Sequence, residues 1–111
     1  MYMGGTSMAT PLVAGCAALA RQYLRQTENI QNPSAALLKA VIIHSARYLD
    51  YRFAGPASAK WVDNEQGWGR VDLQTVLNPP PPVKVLFFDE GQGLTTGQMR
   101  QFNITVMDTS A

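Results

Sequence analysis

Residues 8–20 constrain this chain more than any other stretch. The run is almost entirely small or apolar, and no charged side chain occurs among the first twenty residues. Its length and composition predict a helix from about residue 7 to residue 23 or 26. A helix that is apolar on every side is normally enclosed by other layers, usually a sheet with more helices. Arg21, Gln22, Arg25 and Gln26 then mark its emergence into water, with the cations near the negative end of the helix dipole. Pro11 lies about one turn in and removes the bond its N–H would have given the Ser7 carbonyl, so an irregular start is expected. The run falls short of the roughly 20 apolar residues that span a bilayer. Ala18-Leu19-Ala20 resembles a leader cleavage site, but no basic residue precedes the run, and Pro11 and Gly15 interrupt it, which argues against a signal peptide.

The rest of the chain supplies little to enclose such a helix. Thr27 to Asn32 reads as a polar loop, with Asn32 as cap and Pro33 as first residue of a second helix reaching Arg47 or Tyr48. Leu37, Leu38, Val41, Ile42, Ser45, Tyr48 and Leu49 fall on one face of it. Residues 50–66 read as a loop, Gly67-Trp68-Gly69-Arg70-Val71 as a tight turn into a short extended piece, and Asp72 as the cap of a short helix over residues 73–77. Pro79 to Pro82 is the clearest boundary, expected as an extended polyproline spacer. Beyond it, residues 83–88 and 100–107 have strand patterns. Two strands alone are not stable in water, so residues 83–111 read as the opening of a β domain that the chain does not finish. With an all-round apolar helix at one end and half a sheet at the other, the chain is expected to be a piece of something longer.

Bulk properties exclude more than they indicate. The 111 residues are 46% hydrophobic and 15% charged, with net charge +1 and no charge run. This is a globular composition with no electrostatic footprint for nucleic acid or a membrane surface. The single cysteine, Cys16, has no partner for an internal disulfide and no neighbouring metal ligand in sequence.

Chemistry points to Gly5-Thr6-Ser7-Met8-Ala9-Thr10-Pro11. These residues put a serine hydroxyl at the start of an apolar helix, where backbone N–H groups are unpaired and the local potential is positive. Such a position stabilises negative charge developing on a substrate oxygen, and the glycines let a substrate backbone approach. A serine alone is a poor nucleophile and needs a base oriented by a carboxylate. The competing reading makes Thr6 or Ser7 a simple N-cap.

The segment, followed by Val13-Ala14-Gly15, closely resembles the nucleophile motif of the subtilisin-like serine proteases, departing from it at Leu12, where the family usually has His. The resemblance continues through Leu37-Leu38-Lys39-Ala40 with Ile42 and Ala46, and through Gly67 to Leu73. Tyr2-Met3-Gly4-Gly5 and the Trp68 segment are similar to one branch, the oxidatively stable alkaline proteases with a C-terminal β-barrel. It implies an α/β fold: residues 1–78 as the C-terminal part of a parallel-sheet peptidase domain, residues 79–82 as linker, and residues 83–111 as the start of the β domain. It implies a serine endopeptidase in which Ser7 is the nucleophile and its backbone N–H an oxyanion donor, with Gly5, Thr6 and Met8 lining the substrate site. These roles are carried over from subtilisin itself. In that family the chain order is Asp, His, Ser, so the remaining triad members and the side-chain oxyanion donor are expected in an upstream part of the same domain. The chain by itself is therefore expected to be inactive. Protein or peptide substrates, no catalytic cofactor, structural calcium in the full-length protein and an extracellular location follow by resemblance alone.

Other candidates read as structural. His44 follows the serine in the chain and reads as a helix-edge or surface histidine. Asp50, Asp63, Glu65 and Asp72 read as loop and capping residues, Trp68 as packing, and Phe87 and Phe88 as core of the unfinished β domain. The alternative function is a catalytically dead homologue serving as a binding or structural module.

Overall fold

The computed structural model describes residues 3–49, 62, 64 and 66–106. Asp50, Asp63 and Glu65, and the last residue of the second expected strand, lie outside the described residues. Helix α1 runs Thr6–Gln26, α2 runs Ala35–Ser45 and α3 runs Gln74–Leu77.

The apolar run forms α1 as its composition requires, and the helix passes through Pro11 without a break. The strain of a mid-helix proline is confined to one unmade bond at the Ser7 carbonyl. One residue earlier, the Thr10 hydroxyl donates to the Thr6 carbonyl at 2.8 Å. The expected irregular start is therefore a missing hydrogen bond inside a continuous helix.

Burial along α1 is uneven: within this chain only one end of the apolar helix is covered. Every residue from Thr6 to Gly15 is exposed, with Leu12 at 72%. Ala20 and Leu24, near the other end, are fully buried. The reason is reach. At 1.5 Å per residue α1 is roughly 30 Å long and α2 only about 16 Å, so α2 covers one end of α1 and leaves the other in solvent. The core comprises Ala20, Leu24, Leu37, Val41 and Val76, with Ile30, Leu38, Leu73, Leu77, Val85 and Phe87 packed against it.

Ser34, not Asn32, caps α2: its side chain accepts from the Leu37 N–H at 3.0 Å. Leu37, Val41 and Ser45 form the buried stripe, and the Ser45 hydroxyl donates to the Ile42 carbonyl at 2.7 Å. The helix ends at Ser45, short of Tyr48 and Leu49. There Arg47 turns into an antiparallel bridge with Arg70, exchanging N–H to carbonyl bonds at 2.7 and 2.9 Å. The Gln66 side chain continues the pairing: its carbonyl accepts from the Leu49 N–H at 2.9 Å and its amide donates to the Leu49 carbonyl at 3.0 Å. Gly69 makes this approach feasible. Its φ of 110° suits glycine, and a Cβ there would run into the Arg47 carbonyl.

Asp72 does not cap α3 with its carboxylate. Its backbone carbonyl accepts from the Thr75 N–H and hydroxyl, while its carboxylate faces Arg47 at 3.9 Å. The four prolines form a turn instead of an extended spacer, closed by the Val83 N–H donating to the Pro80 carbonyl at 3.0 Å. Prolines lack N–H groups, so Val83 carries the first donor after Asn78.

Neither expected strand joins a ladder among the described residues. Residues 83–90 are nonetheless placed as a strand would be: Val85, Phe87 and Asp89 are half-buried while Lys84, Leu86, Phe88 and Glu90 are exposed. The segment docks on the helices. Phe87 meets the Tyr23 ring edge-on at 6.2 Å, and the Asp89 carboxylate accepts from the Ser34 N–H and hydroxyl at 2.7 and 2.6 Å. Phe87 thus packs on the helical core, while Phe88 points away and meets Phe102 at 4.8 Å.

Candidate active site

The first turn of α1 is built by Gly5. It is the N-cap, with φ 136° and ψ 175°, and has no side chain to bond the turn above it. That φ lies where residues with a Cβ rarely go, so the bend in front of the helix depends on glycine. The Gly5 carbonyl accepts from the Met8 and Ala9 N–H groups, both at 3.1 Å. Thr6 and Ser7 therefore occupy the first two helical positions, and their N–H groups have no partner among the described residues.

This removes the bland reading of the motif. Neither Thr6 nor Ser7 is the N-cap, and the Ser7 hydroxyl takes part in no hydrogen bond among the described residues. An exposed hydroxyl stands next to two unpaired backbone donors at the positive end of a 21-residue helix. Donors and field of this kind stabilise an oxyanion formed on an atom bound to that hydroxyl. Met8 follows on the same turn and is exposed, so Gly5, Thr6, Ser7 and Met8 form one continuous accessible edge.

Among the described residues no base stands beside Ser7. His44 lies exposed at the last turn of α2 and lines a cavity of about 320 Å³ with Leu37, Val41, Val76 and Val85, a different surface from the one Thr6 and Ala9 border. The surface-histidine reading of His44 fits this position. Trp68, expected to pack, is 58% exposed and borders a shallow apolar depression with Val13, Ile42 and Ala46. The Asp89 clasp on α2 was not anticipated from the sequence. An acid fifty-five residues from its serine partner leaves no local pattern.

Comparison with known proteins agrees with the motif. The sequence model of the subtilase family matches residues 1–69. The Dictyostelium discoideum protein named serine protease/ABC transporter B family protein tagB is 33% identical over 109 residues, covering 76% of this chain. The chain spans 6% of that relative's length. No solved structure matches the chain.

Proposed function

The chain belongs to the subtilase family, and from that premise we propose that it carries the nucleophile of a serine endopeptidase at Ser7. The observation carrying this is the Gly5 bend, which leaves the Ser7 hydroxyl and the N–H groups of Thr6 and Ser7 without partners among the described residues. In the complete enzyme the Ser7 oxygen attacks the scissile carbonyl, a His base takes its proton, and the Ser7 N–H donates to the oxyanion. Collapse of the tetrahedral species expels the amine, and water then releases the acyl group from Ser7. Gly5, Thr6 and Met8 border the bound peptide. Base, orienting acid and side-chain oxyanion donor come from an upstream part of the same domain, which also covers the exposed apolar face of α1.

In this reading residues 1–78 close the peptidase domain, residues 79–82 connect, and residues 83–111 open a β domain like that of the oxidatively stable alkaline branch. The alternating burial of residues 83–90 supports the last assignment. The protein is exported, with structural calcium held elsewhere in its full length. Fluorophosphonate labelling of the full-length protein, with the adduct mapped by mass spectrometry, tests the reading. The expected adduct is on Ser7. A full-length protein that folds and takes no label is instead the catalytically dead homologue.

A further inference from the structure

The segment after the prolines holds a feature the protease reading does not use. Asn103-Ile104-Thr105 is the one Asn-x-Ser/Thr triplet in the sequence without an intervening proline. Asn32-Pro33-Ser34 is excluded by its proline, and its Ser34 is occupied by Asp89 and the α2 cap. In an extended segment, side chains two apart share a face, so Asn103 and Thr105 are presented together.

The structure separates that face from the apolar one. Phe102, Ile104 and Val106 alternate with Gln101, Asn103 and Thr105, and are 50%, 62% and 69% exposed. The Glu90–Arg100 ion pair at 2.9 Å and the Phe88–Phe102 contact at 4.8 Å hold this segment beside residues 88–90. Phe102 thereby faces Phe88, so a layer covering that apolar side would leave Asn103 in water. Val85 and Phe87 pack on the helical core and Asp89 on Ser34. Asn103 is exposed, and its amide oxygen accepts from Gln101 Nε2 at 3.1 Å, while its amide nitrogen has no partner among the described residues.

The geometry points to Asn103 as an N-glycan acceptor, a proposal that rests on the exported reading above. The donor is a polyprenyl-pyrophosphate-linked oligosaccharide. The Asn103 amide nitrogen forms a bond to the anomeric carbon and gives up one proton to a base of the transferase. The bond from that carbon to the pyrophosphate oxygen breaks, and the polyprenyl pyrophosphate leaves with the electron pair. Thr105 supplies the hydroxyl that the transferase reads.

The test is full-length protein secreted from a eukaryotic cell and treated with peptide N-glycosidase in heavy-oxygen water. Conversion of Asn103 to a labelled aspartate, with Asn32 unchanged, is expected. Asn103→Gln and Thr105→Ala each lose the gel shift, and Thr105→Ser keeps it. Secreted protein with a bare Asn103 overturns the proposal, as does a glycan shift that survives both disrupting variants, or a protein that never leaves the cytosol. A Ser7→Ala variant keeps the glycan, so failure of fluorophosphonate labelling with the glycan present sinks only the catalytic reading.

Discussion

The two ends of α1 are one continuous helix with opposite relations to the rest of the chain. At one end Ala20 and Leu24 are wholly buried against α2. At the other the turn holding Ser7 is exposed on every residue and is ordered by its own backbone, the Gly5 bend and the Thr10 hydroxyl on the Thr6 carbonyl. The difference teaches that the core of this chain does not build the candidate site. Stability and chemistry are assigned to separate turns of one element, and mutations can address each alone.

The largest effect expected is on chemistry. Ser7→Ala in the intact enzyme should lower kcat/KM by about 10⁴-fold or more, a magnitude that comes from subtilisin itself. The urea midpoint should not move, because the Ser7 hydroxyl bonds to none of the described residues. A stability loss of about 1 kcal/mol or more in that variant would mean the first turn is structural and would break the contrast. Leu24→Ala is the converse. Removing a fully buried leucine from the small core should cost about 2–5 kcal/mol, read as a lower urea midpoint of the 111-residue chain. In the intact enzyme under native conditions the same variant should keep its fluorophosphonate labelling at Ser7.

The same division explains what could be read from sequence. The helix, its emergence at Arg21 and the position of Ser7 in its first turn were legible, because apolar run length and turn residues are local signals. The cap was misplaced by one or two residues in both long helices. Glycine at the head of α1 and serine at the head of α2 each competed with an equally plausible neighbour, Thr6 in one case and Asn32 in the other. The apolar pattern of α1 reports what the helix can bury and not what this chain supplies to cover it. Residues 84–90 have a strand-like alternation of burial without a ladder among the described residues, since periodicity is a side-chain property and pairing requires a neighbour at the right distance. The contacts that were invisible are those between distant positions: Asp89 on Ser34, and Gln66 bracing Leu49. For Ser7, residue type and setting were legible as local signals. The capping role of Gly5, which leaves the Ser7 hydroxyl without a partner among the described residues, depends on a backbone angle that the residue types do not dictate.

A smaller effect tests whether the segment after the prolines belongs with the buried end. Asp89 accepts two short bonds from Ser34 at the positive end of α2. Bonds to a carboxylate are stronger than neutral ones, and a helix N-terminus favours the negative charge. Asp89→Asn keeps one acceptor oxygen and loses the charge, so a loss of about 1–2 kcal/mol is expected by urea unfolding. Hydrogen exchange should rise at Leu37 and across residues 83–90 and stay unchanged in the first turn of α1. Faster exchange at Ser7 as well would show that the two ends are coupled after all.

The smallest effect is a pH dependence confined to the buried end. Tyr23 packs edge-on against Phe87, and its hydroxyl donates to Glu28 Oε1 at 3.3 Å. Burial raises its pKa above the ordinary 10.0, and the Glu28 charge and this hydrogen bond push it the same way. The folded chain therefore holds the phenol proton after the unfolded chain has released it. The stabilisation is complete below the ordinary tyrosine value and is lost as pH rises through the raised folded value. Urea midpoints measured on both sides of pH 10.0 should fall on the alkaline side. Tyr23→Phe should shrink that fall, and Glu28→Gln should shrink it less, because burial is the leading cause. An equal fall in Tyr23→Phe would place the alkaline sensitivity on other groups. A parallel change in the amide exchange of Ser7 would show that the titration reaches the first turn of α1, which the separation of the two ends forbids.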